Sequence, residues 1–156
     1  MRLKLQHLTS IVQSILLSSG VDEVQAETVT DNLVWCDMVG RRNHGVERLP
    51  ILLKRVAAGL IKCPCQVEFE MMSPSMARLQ ADQAFGHHAG TLATHKACDL
   101  AADNGIGAVG VSDSNFFGAG AYYANLAAKR NMISLVLSNS FPKVAAPGGL
   151  RAALGT

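Results

Sequence analysis

Gly105-Ile106-Gly107-Ala108-Val109-Gly110-Val111 is the stretch on which the fold turns. It is an apolar run short enough for a buried strand, of the kind that parallel sheets use. Ahead of it a helical pattern runs from about His88 to Asn104, with Leu92, His95, Ala97, Leu100 and Ala101 on its inner side and Gly105 placed to cap it. Behind it, about Ala119 to Arg130 predicts a second helix, and Ile133-Ser134-Leu135-Val136-Leu137-Ser138 predicts a second buried strand. Helix, strand, helix, strand is the pattern of an α/β layer architecture.

Toward the N-terminus the period changes twice. Val67-Glu68-Phe69-Glu70 and Ala77-Arg78-Leu79-Gln80-Ala81-Asp82 alternate as strands do, and Met71 to Met76, with Ser73-Pro74-Ser75 inside, suits the turn between them. Before Cys65 the chain reads helical. Leu8, Ile11, Val12, Ile15 and Leu16 recur at helical spacing after Thr9 or Ser10, until Ser19-Gly20 stops them. Asp22 with Gln25 makes a capping-box-like start for a second helix carrying Val29, Leu33 and Cys36 on one stripe and ending at Gly40. Pro50 suits the first turn of a third, with Ile51, Leu52 and Val56 on its apolar face and Gly59 at its end. The expected organisation is a helical region over residues 1–65 and an α/β region over residues 66–156.

At 156 residues the chain can bury roughly 68–70% of its unfolded surface, so a core needs no staples. With 49% hydrophobic and 17% charged residues it reads as globular rather than disordered. A net charge of +2, with no basic run interleaved with aromatics, argues against nucleic acid. No run approaches the roughly 20 apolar residues that span a bilayer, and Met1 to His7 lacks a signal-peptide pattern, so a cytoplasmic protein is expected. Cys36 and Cys98 fall in helical patterns as buried thiols. Cys63-Pro64-Cys65 is too closely spaced for the usual zinc pair and reads as a free-thiol turn.

The chemistry concentrates in Asn43-His44-Gly45-Val46-Glu47-Arg48-Leu49-Pro50. An imidazole can trade a proton near neutral pH, and a guanidinium four residues on can grip a carboxylate with two parallel hydrogen bonds. Spacing alone also fits a solvated helix start. Two loops fall at the carboxyl ends of expected strands, where open α/β sheets collect ligands. Ser112-Asp113-Ser114-Asn115-Phe116-Phe117-Gly118-Ala119-Gly120 suits either a capped βα turn or an anion loop, and Asn139-Ser140-Phe141-Pro142 leads to Ala146-Pro147-Gly148-Gly149. Gly86-His87-His88-Ala89-Gly90 invites a metal, but adjacent histidines point apart, so a solvated helix start is expected there. His95 is expected as a hydrogen-bonded core histidine.

Taken in order, Asp37 and Gly40, His44-Gly45-Val46, Arg48-Leu49-Pro50, Gly59 with Ile61, Asp82 with Gly86, and Ala102 with Gly105-Ile106-Gly107 resemble one family. Ser114-Asn115, Phe117-Gly118, Tyr123, Asn139-Ser140, Gly148-Gly149 and Gly155-Thr156 continue the likeness. The family is that of the malate, L-lactate and L-sulfolactate dehydrogenases of the non-Rossmann type, whose relatives include ureidoglycolate dehydrogenase and diketogulonate reductase. The resemblance implies an α/β fold: an N-terminal helical region followed by a portion of a mixed-sheet, non-Rossmann nucleotide-binding domain. It also implies an oxidoreductase that interconverts a 2-hydroxy and a 2-oxo acid with NAD or NADP, as a homodimer.

By the same resemblance His44 is the active-site histidine and Arg48 the substrate-side arginine, with Asn43 and Asn115 beside the substrate. Ser114, Phe116, Gly118, Asn139, Ser140 and Thr156 would lie near the cofactor. Four departures stand out, one of them Ala146-Pro147 where the family has a proline and an aromatic residue ahead of the paired glycines. Asn43 replaces a serine, Phe116 replaces a histidine, and the chain stops where relatives continue into a second half of similar length. A truncated member with poor turnover on its own is the expectation. The rival is a non-catalytic remnant that keeps some of the fold as an interaction module.

Overall fold

A computed structural model describes residues 3–155. Its elements run α1 (Leu5–Ser18), α2 (Glu23–Met38), two 3-10 turns (Arg42–His44 and Val46–Arg48), α3 (Leu49–Ala57), β1 (Glu68–Ser73) and β2 (Met76–Gln80). They continue with α4 (Gly86–Asn104), β3 (Ala108–Ser112), α5 (Gly120–Ala128), β4 (Val144–Ala145) and β5 (Ala152–Leu154). This is the mixed α/β architecture expected, with helices first and a small mixed sheet after.

The helical region packs along most of its predicted stripes, but Ile11 of α1 and Ile51 of α3 stay exposed because each falls on the solvent side of its helix. Val12 and Leu16 of α1, Ala26, Val29 and Leu33 of α2, and Leu49 and Leu52 of α3 share one buried cluster with Val21, Ile61 and Phe85. The Asp22 carboxylate accepts from the Gln25 backbone N–H at 3.0 Å, capping α2 as the spacing predicts. Gly40 at φ +77° and Gly59 at φ +68° lie just past α2 and α3. Helix α1 begins at Leu5, earlier than expected. Thr9 and Ser10 do not cap it; their hydroxyls turn back onto the carbonyls of Leu5 and Gln6.

In the sheet, β2 is central. It pairs antiparallel with β1, from Glu68 opposite Gln80 to Ser73 opposite Met76, and parallel with β3, from Met76 beside Ala108 to Gln80 beside Ser112. Leu79, Ala81, Ala89 and Ala93 form a second cluster, where α4 covers the sheet. The chain crosses α4 closely after Gly105, because Gly107 has no Cβ to meet the Ala97 carbonyl.

Four further expectations fail. His87 and His88 are buried, not solvated, because α4 begins two residues early and drives its first turn against α2. His88 Nδ1 lies 3.1 Å from Thr28 Oγ1 of α2. His95 is exposed, since it falls on the outer face of α4. Strand β3 forms, but as an edge strand with Val111 41% exposed, not as a strand buried on both faces. Residues 133–138 form no strand: Ile133, Leu135 and Leu137 are exposed, because among the described residues no neighbouring strand pairs with them and no layer covers them. Instead the short antiparallel pair β4–β5 lies beyond.

Candidate functional site

Two consecutive 3-10 turns present the motif residues. Gly45 joins them at a place where a side chain cannot fit, since a Cβ there would overlap the Asp37 carboxylate. That carboxylate accepts from the Val46 N–H at 2.9 Å and fixes the second turn to α2. Arg48 Nε donates to the Asn43 carbonyl, closing the motif on itself.

From the other side comes the loop between β3 and α5. Residues Asp82 and Gln83 after β2, and Asp113 after β3, all take positive φ, a region that residues with a side chain rarely adopt. The two loops interlock, with Gln83 N–H donating to the Asp113 carbonyl at 2.7 Å. Asn115 ties them to the helical region. Its Nδ2 lies 3.1 Å from the Leu60 carbonyl, 2.8 Å from that of Gln83 and 3.2 Å from that of Ala84, and its Oδ1 accepts from Arg55 Nη2 at 2.7 Å. Below the loop, the buried Tyr123 hydroxyl donates to the Phe117 carbonyl and accepts from Asn32 Nδ2 at 3.3 Å. Burial pushes the Tyr123 phenol well above its ordinary value.

This scaffold brings Phe116 onto the motif. Its ring stacks on the His44 imidazole with centroids 5.8 Å apart and planes 6° apart. Arg48 Cζ lies 5.3 Å from the ring centroid. His44 is half-buried, and its Nδ1 is buried without a hydrogen-bond partner. Burial first, then the charges of Arg48 and Arg41, lowers its basicity below the usual imidazole value. His87 meets the ring edge-on at 5.7 Å, with neither ring nitrogen partnered. Burial, with a smaller contribution from His44, lowers it to about 3.

The structure thus gathers His44, Arg48, Phe116 and His87 at one place, with the Asn43 carbonyl on Arg48 and the loop residues Ser114 and Asn115 adjoining Phe116. Gly118, at φ +83°, passes beside His87 and Asn32, where a Cβ would lie 2.8 Å from Asn32 Oδ1. Asn139 and Ser140 stand apart from it on an exposed segment, where Ser140 lies beside Gly155. Thr156 lies outside the described residues. The sequence reading missed His87, Arg55 and Asn32. Only the small residues Gly86, Ala89 and Gly90 around His87 hinted at close packing there. Among the described residues, no three histidine, cysteine, aspartate or glutamate side chains gather as a metal would need, and no helix is long and apolar enough to cross a membrane.

The chain is 37% identical to malate dehydrogenase of Pyrococcus abyssi over 99% of its own length and 43% of the relative's. It is 33% identical to L-sulfolactate dehydrogenase of Methanothermobacter thermautotrophicus, covering all of this chain and 46% of that one. The structure of malate dehydrogenase from Pyrococcus horikoshii OT3 superposes with a TM-score of 0.94 at 34% identity, over 99% of this chain and 44% of that chain. The chain therefore spans less than half the length of these relatives. The profile of the malate/L-lactate dehydrogenases matches residues 3–156, and this chain belongs to that family.

Proposed function

We propose that this chain carries the proton-transfer and carboxylate-binding machinery of an NAD(P)-dependent 2-hydroxy acid dehydrogenase. The observation that carries the reading is the convergence of His44 and Arg48 on one ring, with His44 Nδ1 buried and unpartnered. In this reading Arg48 holds the substrate carboxylate and so orients the carbon that bears the oxygen. His44 takes the hydroxyl proton when the alcohol is oxidised and returns it when the 2-oxo acid is reduced. Its lowered basicity favours the neutral form at pH 7, the form that a base needs.

Asn43 contributes through the carbonyl that steadies Arg48, and Asn115 through the grip on Arg55 that sets the loop. The helical region, residues 1–65, thus supplies the reacting pair, and the α/β region, residues 66–156, the loop that closes on it. The orphaned His44 nitrogen and the half-open Phe116 ring, 40% exposed, suit the nicotinamide end of the cofactor. Ser114, Phe116 and Gly118 would hold that end, and Asn139, Ser140 and Thr156 the rest. When bound, NAD or NADP supplies the acceptor or donor of hydride. The whole protein would act as a homodimer on a small 2-hydroxy or 2-oxo acid.

The test is a melting curve of the chain with and without NADH, NADPH and oxamate, an unreactive analogue of a 2-oxo acid. A ligand at a hundredfold excess over its Kd stabilises the fold by about 2.7 kcal/mol. The midpoint is expected to rise with oxamate and to stop responding in R48A. Failure of all three ligands to move it would overturn the reading in favour of a non-catalytic fragment.

A further inference from the structure

Three polar side chains lie against the Phe116 ring, where an aromatic ring would ordinarily seek apolar ones. The His44 imidazole lies on its face, the Arg48 guanidinium over it, and the His87 imidazole against its edge. Its backbone has no room to retreat. Gly86, the first residue of α4, sits so close to the Asn115 and Phe116 main chain that a Cβ there would overlap it. The residue before is held by three carbonyls and the residue after by Tyr123.

We propose that Phe116 is a positioning residue: it clamps His44 and Arg48 side by side, with His87 as the fixed stop against the ring's edge. What the clamped pair then does rests on the proposed function, whereas the clamp itself rests on geometry. A cation over an aromatic face and a stacked ring pair each favour one orientation of a side chain that would otherwise sample several. The ring also takes one face of the imidazole out of water.

His87 completes the arrangement by staying uncharged. It has 0% exposure and no partner for a proton, and Gly118 crosses it so tightly that a Cβ would lie 3.1 Å from its Nε2. The groups that face His44 are Arg41 and Arg48 on its own turns and His87 on α4. On α2, Asp37 turns its carboxylate to the Gly45–Val46 backbone. A charged His87 would add a third cation to this group. Neutral, it lets the guanidinium and the imidazole share one ring.

Ring-proton titration of His44 by NMR in the full chain, with oxamate as probe, decides the matter. In the native chain, His44 ring protons are expected to show nuclear Overhauser contacts to the Phe116 ring. In Phe116→Leu the His44 pKa should rise toward the ordinary imidazole value, and oxamate should bind about two- to fivefold more weakly. Phe116→Tyr keeps the aromatic face and should restore both. The clamp is overturned by absent His44–Phe116 contacts in the native chain, a readout that needs no variant to fold. An unshifted titration in a folded Phe116→Leu chain overturns it as well. A chain that shows the contacts and the shift but never binds oxamate upholds the clamp while overturning the proposed function.

Discussion

Both ring nitrogens of His87 are buried without a hydrogen-bond partner, so a proton there would carry a charge out of water. His87 takes up protons at an ordinary value of 6.5 when unfolded and at about 3 in the fold. Between those values the unfolded chain binds the proton and the native chain does not, so stability is full above pH 6.5 and falls as the pH drops. The slope from this one group is about 1.4 kcal/mol per pH unit over that window. Urea unfolding at pH 7, 6 and 5 should show it, and a folded His87→Leu chain should lose that component, although His44 and His88 still contribute theirs. Gly45 gives a second prediction. A methyl group there would collide with Asp37. Gly45→Ala should therefore destabilise by about 1–3 kcal/mol, or about 2–4 °C of midpoint per kcal/mol at this chain size. At this scale the sequence was half legible. His44 and Arg48 could be singled out as candidates because both sit in one short motif that resembles a known family, although their spacing alone fits a solvated helix start equally. His87 could not, because what buries it, helix α2 and the loop before α5, lies far from it in sequence.

Elements were legible where their signals are local. Asp22 and Gln25 mark the start of α2 by a hydrogen bond three residues long. Asp22→Ala should lower stability by about 0.5–2 kcal/mol, read as a drop in the midpoint of a thermal melt. Gln25 has a larger role that no local pattern encodes. Its side chain donates to the Lys62 carbonyl and accepts from the Phe85 N–H, so one buried amide joins α2, the α3–β1 connection and the start of α4. The segment 133–138 failed for the opposite reason. Its apolar residues are real but face water, with Leu135 84% and Leu137 79% exposed, Ser134 and Ser138 exposed as well, and Val136 half-buried beside Gly120. An apolar run becomes a strand only where a neighbour accepts its hydrogen bonds, and that neighbour is not in the local sequence.

For the molecule as a whole, the family and the α/β order were legible because matching residues recur along the entire chain. The burial of its outer faces was not, because burial depends on what lies alongside. Ile133, Leu135, Leu137, Phe141 and Leu150 leave an apolar strip in water. The isolated chain should bind a hydrophobic dye and scatter light on concentration. Replacing Leu135 and Leu137 with serine should reduce both, and should move stability by no more than about 0.5 kcal/mol per site, since neither side chain supports the core. A fall in the melting midpoint of several degrees would show that the strip is packed in solution.

The absence of a side chain at Gly86 reaches beyond packing. Two stretches of backbone, the start of α4 and the Asn115–Phe116 main chain, touch there with nothing between them. Such a contact counts residues. Adding or deleting a single position between Ala81 and Gly86 would rotate a substituted carbon into the Asn115–Phe116 backbone and push Phe116 off the His44–Arg48 pair. Variation in length should therefore be tolerated at the β1–β2 turn or around β4 and β5, and excluded from the five residues that lead into α4.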